Sequence, residues 1–276
     1  VKIIEVVNAL EQFAPLPLQE DYDNAGLQVG LTEAEVSGAL LCLDVTETIV
    51  DEAVARGCNL IVSHHPLIFH KLCRLTGDDY VQRTVMKAIE KKVTILSLHT
   101  NMDSVKGGVN FKIAEKMGLE QVTFLGKQQT VSVPDDITVT GCDARHTVEG
   151  GEGVIGFLPA PMVADDFVLM LKHTFKVECV MANELIRRDI CKVALCGGAG
   201  DFLLNEALAA GADAFVTGEM HYHQFFGQEQ RIQLAIIGHY QSEQYTAEIF
   251  RDIITAKCPD VRCVMTEQNT NPIIYL

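Results

Sequence analysis

Short apolar runs recur along this chain, and most end in a polar tip. Leu40-Leu41-Cys42-Leu43, Leu60-Ile61-Val62-Ser63, Val93-Thr94-Ile95-Leu96-Ser97-Leu98, Val193-Ala194-Leu195-Cys196, Ala214-Phe215-Val216-Thr217 and the run from Ile232 to Gly238 are the clearest. Apolar runs of this length, bounded by turn residues, read as buried strands. Helical stretches separate them. Alternating strands and helices imply parallel sheets with helices on their faces, an α/β architecture.

The pattern is written twice. Ala39 to His65 and Val193 to Glu219 align at a constant offset of 154. Each copy reads strand, loop, helix, glycine turn, strand, polar tip. Gly57 and Gly211 fall where a helix ends and a left-handed cap is expected. After a second helix, each copy has an apolar strand followed by a histidine, with an acid four residues on: His99 with Asp103, and His239 with Glu243. An internal duplication producing two similar α/β/α domains follows, one over 1–125 and the other over 126–276. The C-terminal strand and helix are expected to pack back on the first half. In the join, Asp136 to Thr140 reads as a strand and Glu149-Gly150-Gly151-Glu152-Gly153 as loop. Residues 161–176 read as a helix with Pro161 near its start, and Gln244 to Ile253 as another.

Candidate chemistry sits at the strand tips, where open α/β sheets bind ligands. His64 and His65 close one buried strand before Pro66. Neighbouring side chains in an extended chain point to opposite sides, so this pair suits two metal ions, or one ion if the backbone bends. With Asp103, His239 and Glu243 they offer three imidazoles and two carboxylates. That set suits two divalent ions sharing a carboxylate bridge, the ions about 3.5–4 Å apart. His239 and Glu243 share a face if a helix begins there. A lone histidine ending a strand is more often a surface group, but two side by side are hard to justify structurally. His99 reads either as a ligand or, the favoured reading, as a group orienting a ligand through its other ring nitrogen. Glu219, in Gly218-Glu219-Met220-His221-Tyr222-His223, occupies the repeat position of the histidine pair. It reads as a general base or proton shuttle, a substrate contact or a further ligand, or as a helix-starting acid.

Three further segments carry weaker signals. Asp23 and Asn24 either line the site or bond their own turn. Lys106-Gly107-Gly108-Val109-Asn110 has a glycine pair before a helix that could receive a phosphate. Gly197-Gly198-Ala199-Gly200 resembles a dinucleotide-binding turn only loosely, without the full glycine spacing.

Composition narrows the partners. Hydrophobic residues make up 48% of the 276, enough for a sizeable core, and 22 basic against 37 acidic residues give a formal charge of −15. A surface of that sign argues against nucleic acid and favours cations. Nine cysteines with no Cys-x-x-Cys pair read as small buried hydrophobes in a reducing cytoplasm. No signal peptide or membrane span is expected. The mixed imidazole and carboxylate donors suit zinc, iron, manganese, cobalt or nickel, and not copper(I).

Taken together, Asp23-Asn24-Ala25-Gly26-Leu27-Gln28-Val29-Gly30, Ser63-His64-His65-Pro66, His99-Thr100-Asn101-Met102-Asp103, Gly218-Glu219-Met220 and Gly238-His239-Tyr240-Gln241-Ser242-Glu243 resemble one family along nearly the whole chain. It is the GTP cyclohydrolase I type 2 homologues, or Nif-three-like proteins. The resemblance implies a two-domain α/β protein assembled as a toroidal homohexamer. It also implies a dinuclear metal centre facing the cavity, with ligands at His64, His65, Asp103, His239 and Glu243. Two departures stand out: Tyr22 where many relatives have tryptophan, and Val154 where relatives often have arginine. The segment 127–152 is too short for the extra domain some relatives carry. The expected function is a dinuclear-metal-dependent hydrolase of a nucleotide-like small molecule, with metal-activated hydroxide as nucleophile and Glu219 moving the proton. The alternative is a non-catalytic metal-binding ring that handles metal or binds partners.

Overall fold

The structure, a computed structural model, describes residues 1–139 and 141–276. The chain divides into two units. The first comprises Val1–Met102, Val131–Val148 and Thr246–Leu276, and the second Asp103–Thr130 and Glu149–Tyr245.

The first unit opens with helix α1 (Ile3–Phe13), strands β1 (Gly26–Val29) and β2 (Ala39–Cys42), helix α2 (Glu47–Ala55), strand β3 (Leu60–Ser63), helix α3 (Tyr80–Lys91) and strand β4 (Thr94–Ser97). The short helix α4 (Thr100–Ser104) follows. Strands β2, β3 and β4 are buried at every position. That is why they read as continuous apolar runs: a parallel sheet covered on both faces leaves no polar side. Helix starts are set by side chains. Thr46 accepts the Ile49 amide at 3.4 Å and Asp79 accepts the Gln82 amide at 2.8 Å.

In the second unit, helix α5 (Val109–Lys116) precedes strands β5 (Glu120–Pro134) and β6 (Arg145–Met162), whose residues 131–134 and 145–148 are counted with the first unit. Helix α6 (Ala164–Phe175), strands β7 (Met181–Ala182) and β8 (Ile190–Cys196), helix α7 (Leu204–Ala209), strands β9 (Ala214–Thr217) and β10 (Gln233–Ile236) and the short helix α8 (His239–Glu243) complete it. The sheet order is β5-β6-β8-β9-β10-β7. Strands β8, β9 and β10 are parallel, while β6 pairs antiparallel to β8 and β7 to β10. Phe215, Leu234, Ile236, Leu203 and Ala207 are among the residues of one buried cluster on this sheet.

The chain then returns to the first unit as helix α9 (Thr246–Lys257) and strand β11 (Cys263–Met265). The sheet there runs β1-β4-β3-β2-β11, with β1 the one antiparallel neighbour. Helix α1 buries Ile3, Val6, Val7 and Leu10, a stripe at helical spacing, and α9 buries Ile249, Phe250, Ile253 and Ile254.

The duplication is visible in the pairing. Ala39 pairs with Leu60 and Cys42 with Ser63; at the same offset Val193 pairs with Ala214 and Cys196 with Thr217. Gly57 and Gly211 both take positive φ, 66° and 69°. The join departs from expectation. Glu149 to Gly153 is not loop but part of β6, paired to β8 from Val154 onward. The glycines there serve close packing. A Cβ on Gly151 would meet the Phe124 ring at 2.6 Å, and one on Gly153 would meet the Leu195 carbonyl at 2.9 Å. The expected strand over Asp136–Thr140 is absent from its described part. Asp136 Oδ1 instead accepts the Thr138 amide at 2.8 Å, closing a local turn; Thr140 itself lies outside the described residues. Pro161 belongs to β6, and the helix after it begins at Ala164. No described helix is long and apolar enough to cross a membrane.

Candidate metal centre

In the first unit the histidine pair sits where β3 stops. The amides of His64 and His65 both donate to the Leu43 carbonyl, at 3.1 and 2.9 Å. Two successive amides can reach one acceptor only if the chain bends, and both residues are in a bend. The bend defeats the alternation of an extended strand and brings the two rings together, centroids 4.9 Å apart. Ser63 and Ser97, hydrogen-bonded at 2.8 Å, tie the tips of β3 and β4, and Ser63 Oγ donates to the His65 carbonyl at 3.0 Å.

His64, His65 and His99 are each held through Nδ1. His64 Nδ1 bonds the Leu98 carbonyl at 2.9 Å, His65 Nδ1 bonds Asp44 Oδ1 at 2.7 Å, and His99 Nδ1 bonds Asp23 Oδ1 at 2.8 Å. His64, His65 and His99 each offer a ring nitrogen within 4.8 Å of the others. The Nε2 atoms of His64 and His65 are shielded from solvent. Asp23 also accepts the Thr100 amide at 3.0 Å and the Thr100 hydroxyl. Burial pushes the Asp23 carboxyl up, but His99 and Thr100 together outweigh it and hold the group at about 2. Asp23 is therefore an anionic brace for His99.

In the second unit, Gly238 at φ 94° turns the chain out of β10 into α8. His239 and Glu243 lie four apart on that helix, with His239 Nε2 3.2 Å from Glu243 Oε2. This is the shared face the spacing called for. His239 Nδ1 bonds Glu219 Oε1 at 2.8 Å, so the acid in the repeat position of the pair orients an imidazole. Asp103, on α4, offers a carboxylate oxygen within 4.8 Å of one from Glu243. The buried Asn110 donates to the Asp103 and Glu152 carbonyls at 3.1 and 3.2 Å and accepts the Gly197 amide at 2.8 Å. Burial raises the Cys196 thiol, and the carboxylates of Asp103, Glu243, Glu152 and Asp201 raise it further, so it stays protonated.

The glycine run Gly197–Gly200 gains a different meaning. Its amides already bond protein groups: Gly197 to Asn110, Gly198 to Ser242 Oγ at 2.9 Å and Gly200 to Thr217 Oγ1 at 3.0 Å. They are not available to a dinucleotide phosphate. Gly198 instead leaves room for donors: a Cβ there would meet Glu243 Oε1 at 2.4 Å and His239 Nε2 at 3.2 Å. Similarly, the Gly108 amide bonds the Val105 carbonyl at 3.0 Å. His221 and His223 are exposed, His221 bonded to Asp201 and His223 stacked on Phe226 at 6.0 Å.

Residue patterns alone missed Asp44 and Asn110 as supports; His99, which they left as a ligand or an orienting group, is itself oriented by Asp23. A signal for Asp44 existed: it follows β2 as the histidine pair follows β3, and in a parallel sheet those tips are neighbours.

The family model described as Duf34/NIF3 (NGG1p interacting factor 3) matches residues 1–272. A protein of Clostridium perfringens named GTP cyclohydrolase 1 type 2 homolog is 31% identical, with 100% of each chain covered. One of the same name from Clostridium acetobutylicum is 30% identical over 88% of this chain and 85% of that protein. The crystal structure of a Staphylococcus aureus hypothetical protein superposes with a TM-score of 0.86 at 26% identity, covering 100% of this chain and 99% of that one.

Proposed function

The chain belongs to the Duf34/NIF3 family, and on that premise we propose that it is a dinuclear-metal-dependent hydrolase of a nucleotide-like substrate. One observation supports this most directly. Four histidines, His64, His65, His99 and His239, all engage an oxygen acceptor through Nδ1. That bond keeps the proton on Nδ1, fixes the ring plane and leaves Nε2 as the donor, the arrangement found behind metal-ligating histidines. The donors are imidazole nitrogen and carboxylate oxygen, with the nearby Cys196 thiol protonated. This set fits zinc, iron, manganese, cobalt or nickel.

In this reading His64, His65, Asp103, His239 and Glu243 hold two divalent ions, with His99 as a further nitrogen donor. Such ions supply Lewis-acid activation of water and of a substrate oxygen near neutral pH. Glu219 has a double part. Its Oε1 holds His239, and its side chain, 55% exposed, is the group assigned in this reading to move the proton. Cys42, Cys58, Cys196 and Cys258 are buried as expected, whereas Cys73 and Cys179 are exposed; a reducing cytoplasm is the compartment we propose. The assembly we propose is a homohexameric ring, checked by light scattering.

The relatives' printed name makes GTP the first substrate to assay. Metal-loaded wild type is expected to release formate from GTP, and His65→Ala to lose that release along with metal. Equal release by both proteins refutes the hydrolase reading. No release by either, with metal retained by wild type, favours the non-catalytic ring.

A further inference from the structure

After β11 the chain runs on without regular structure but is tied down at several points. The Thr266 amide bonds the Leu41 carbonyl at 3.0 Å, extending the ladder beyond β11. Thr266 Oγ1 and the Glu267 amide both bond Glu52, at 2.5 and 2.9 Å, and Arg56 holds the same carboxylate at 2.9 Å. Asn269 Oδ1 accepts the Asn271 amide at 3.0 Å and Asn271 Oδ1 accepts the Ile273 amide at 3.1 Å, so Thr270 lies within one local turn and a second follows it. The first turn presents the Thr270 hydroxyl to Asp44 Oδ2 at 2.6 Å. The other oxygen of the same carboxylate, Oδ1, lies 2.7 Å from His65 Nδ1.

We propose that Thr270 is a positioning residue for the metal centre, acting through Asp44 on His65. The inference rests on His65 being a metal ligand, as proposed above. A carboxylate that sets a histidine's tautomer and plane must itself be kept from rotating about its last torsion. Asp44 is one-third exposed, so water competes for its oxygens. The Thr270 hydroxyl, held by the turn that contains it, occupies one oxygen and leaves the other facing the imidazole. Asp44 thereby links the segment after β11 to His65. By reciprocity, metal bound at His65 should tighten the docking of residues 266–273.

The test uses full-length protein and zinc alone, with affinity measured by competition against a chromophoric chelator. Wild type, Thr270→Ser, Thr270→Val, Asp44→Asn and the Asp44→Asn/Thr270→Val double variant are compared. Thr270→Ser keeps the hydroxyl and should match wild type. Thr270→Val should weaken the His65-dependent ion about tenfold, the lower end of the range for groups behind a ligand, and Asp44→Asn by up to about 100-fold. Because Thr270 acts through Asp44, the double variant should bind no more weakly than Asp44→Asn. A readout that mere structural loosening would not move is the ¹⁵N spectrum of the metal-free protein. His65 Nε2 should report an unprotonated nitrogen in wild type and Thr270→Ser, with a mixture of tautomers in Thr270→Val. The proposal is overturned if Thr270→Val binds zinc like wild type with an unchanged His65 tautomer, or if its loss is undiminished in the Asp44→Asn background. Failure of the underlying reading looks different: wild type itself would then bind no zinc that depends on His65.

Discussion

Replacing Gly198 by alanine separates two penalties that a glycine in this position avoids. The residue has a φ of 60°, in the left-handed region, where a side chain costs roughly 1–2 kcal/mol. The added Cβ would also stand 2.4 Å from Glu243 Oε1, whereas ordinary contact begins near 3.4 Å. Glu243 Oε1 is the end of a flexible side chain, so it can retreat by about 1 Å with little loss of folding free energy. For a ligand, however, that retreat is about five times the roughly 0.2 Å tolerance of a metal–ligand distance. The variant is therefore expected to fold, to lose about 1–2 kcal/mol in urea titrations of chelator-treated protein, and to lose the ion that Glu243 serves. Gly211→Ala is the matched control. Its φ is 69° and nothing lies within 4 Å of its Cβ position, so it should show the same folding loss with full metal content by plasma mass spectrometry. Wild-type metal affinity in Gly198→Ala, or equal metal loss in both variants, would refute the reasoning.

Other consequences can be measured independently. Asn110→Ala strands the Gly197 amide and two carbonyls, so it should destabilise by on the order of 3 kcal/mol and weaken metal binding as Asp103 loosens; denaturant titration and zinc competition check each part. Asp23 is held at about 2, below its unfolded value near 3.9, so its ionised form adds about 2 kcal/mol of stability above pH ~4, lost as pH falls through about 2. The stability gap between wild type and Asp23→Asn should accordingly close toward pH 2; a gap constant from pH 2 to 6 contradicts the brace. Phe215→Ala, at a fully buried ring, should cost about 3–5 kcal/mol by urea titration while leaving His239 and Glu243 in place. Wild type with free zinc at 100 times Kd should gain about 2.7 kcal/mol over chelator-treated protein, and no gain would mean that metal does not bind the folded form.

Periodicity and the repeat determined a great deal here. Strands buried on both faces need unbroken apolar runs, so β2, β3, β4, β9 and β10 stand out with no three-dimensional information. Their polar tips are as legible, because a parallel sheet collects the ends of its strands on one edge. The i, i+4 pair of His239 and Glu243 needed only local helix geometry.

One glycine-rich segment misled the local reading, and a second was rightly given little weight. Glu149 to Gly153 has the composition of a loop, yet its glycines let β6 lie against Phe124 and Leu195. Gly197 to Gly200 has the look of a phosphate turn, yet its amides bond Asn110, Ser242 and Thr217. A missing side chain carries no record of what fills the space, and only packing of distant segments decides it. The same holds for the supports of the candidate ligands. Asp44 and Asp23 reach His65 and His99 across 21 and 76 positions of sequence. Which imidazole nitrogen carries the proton is set by those long-range contacts, and no spacing rule along the chain encodes them. The candidate donors were thus legible in the residues themselves, while their orientation, on which any metal chemistry would depend, was decided by tertiary hydrogen bonds.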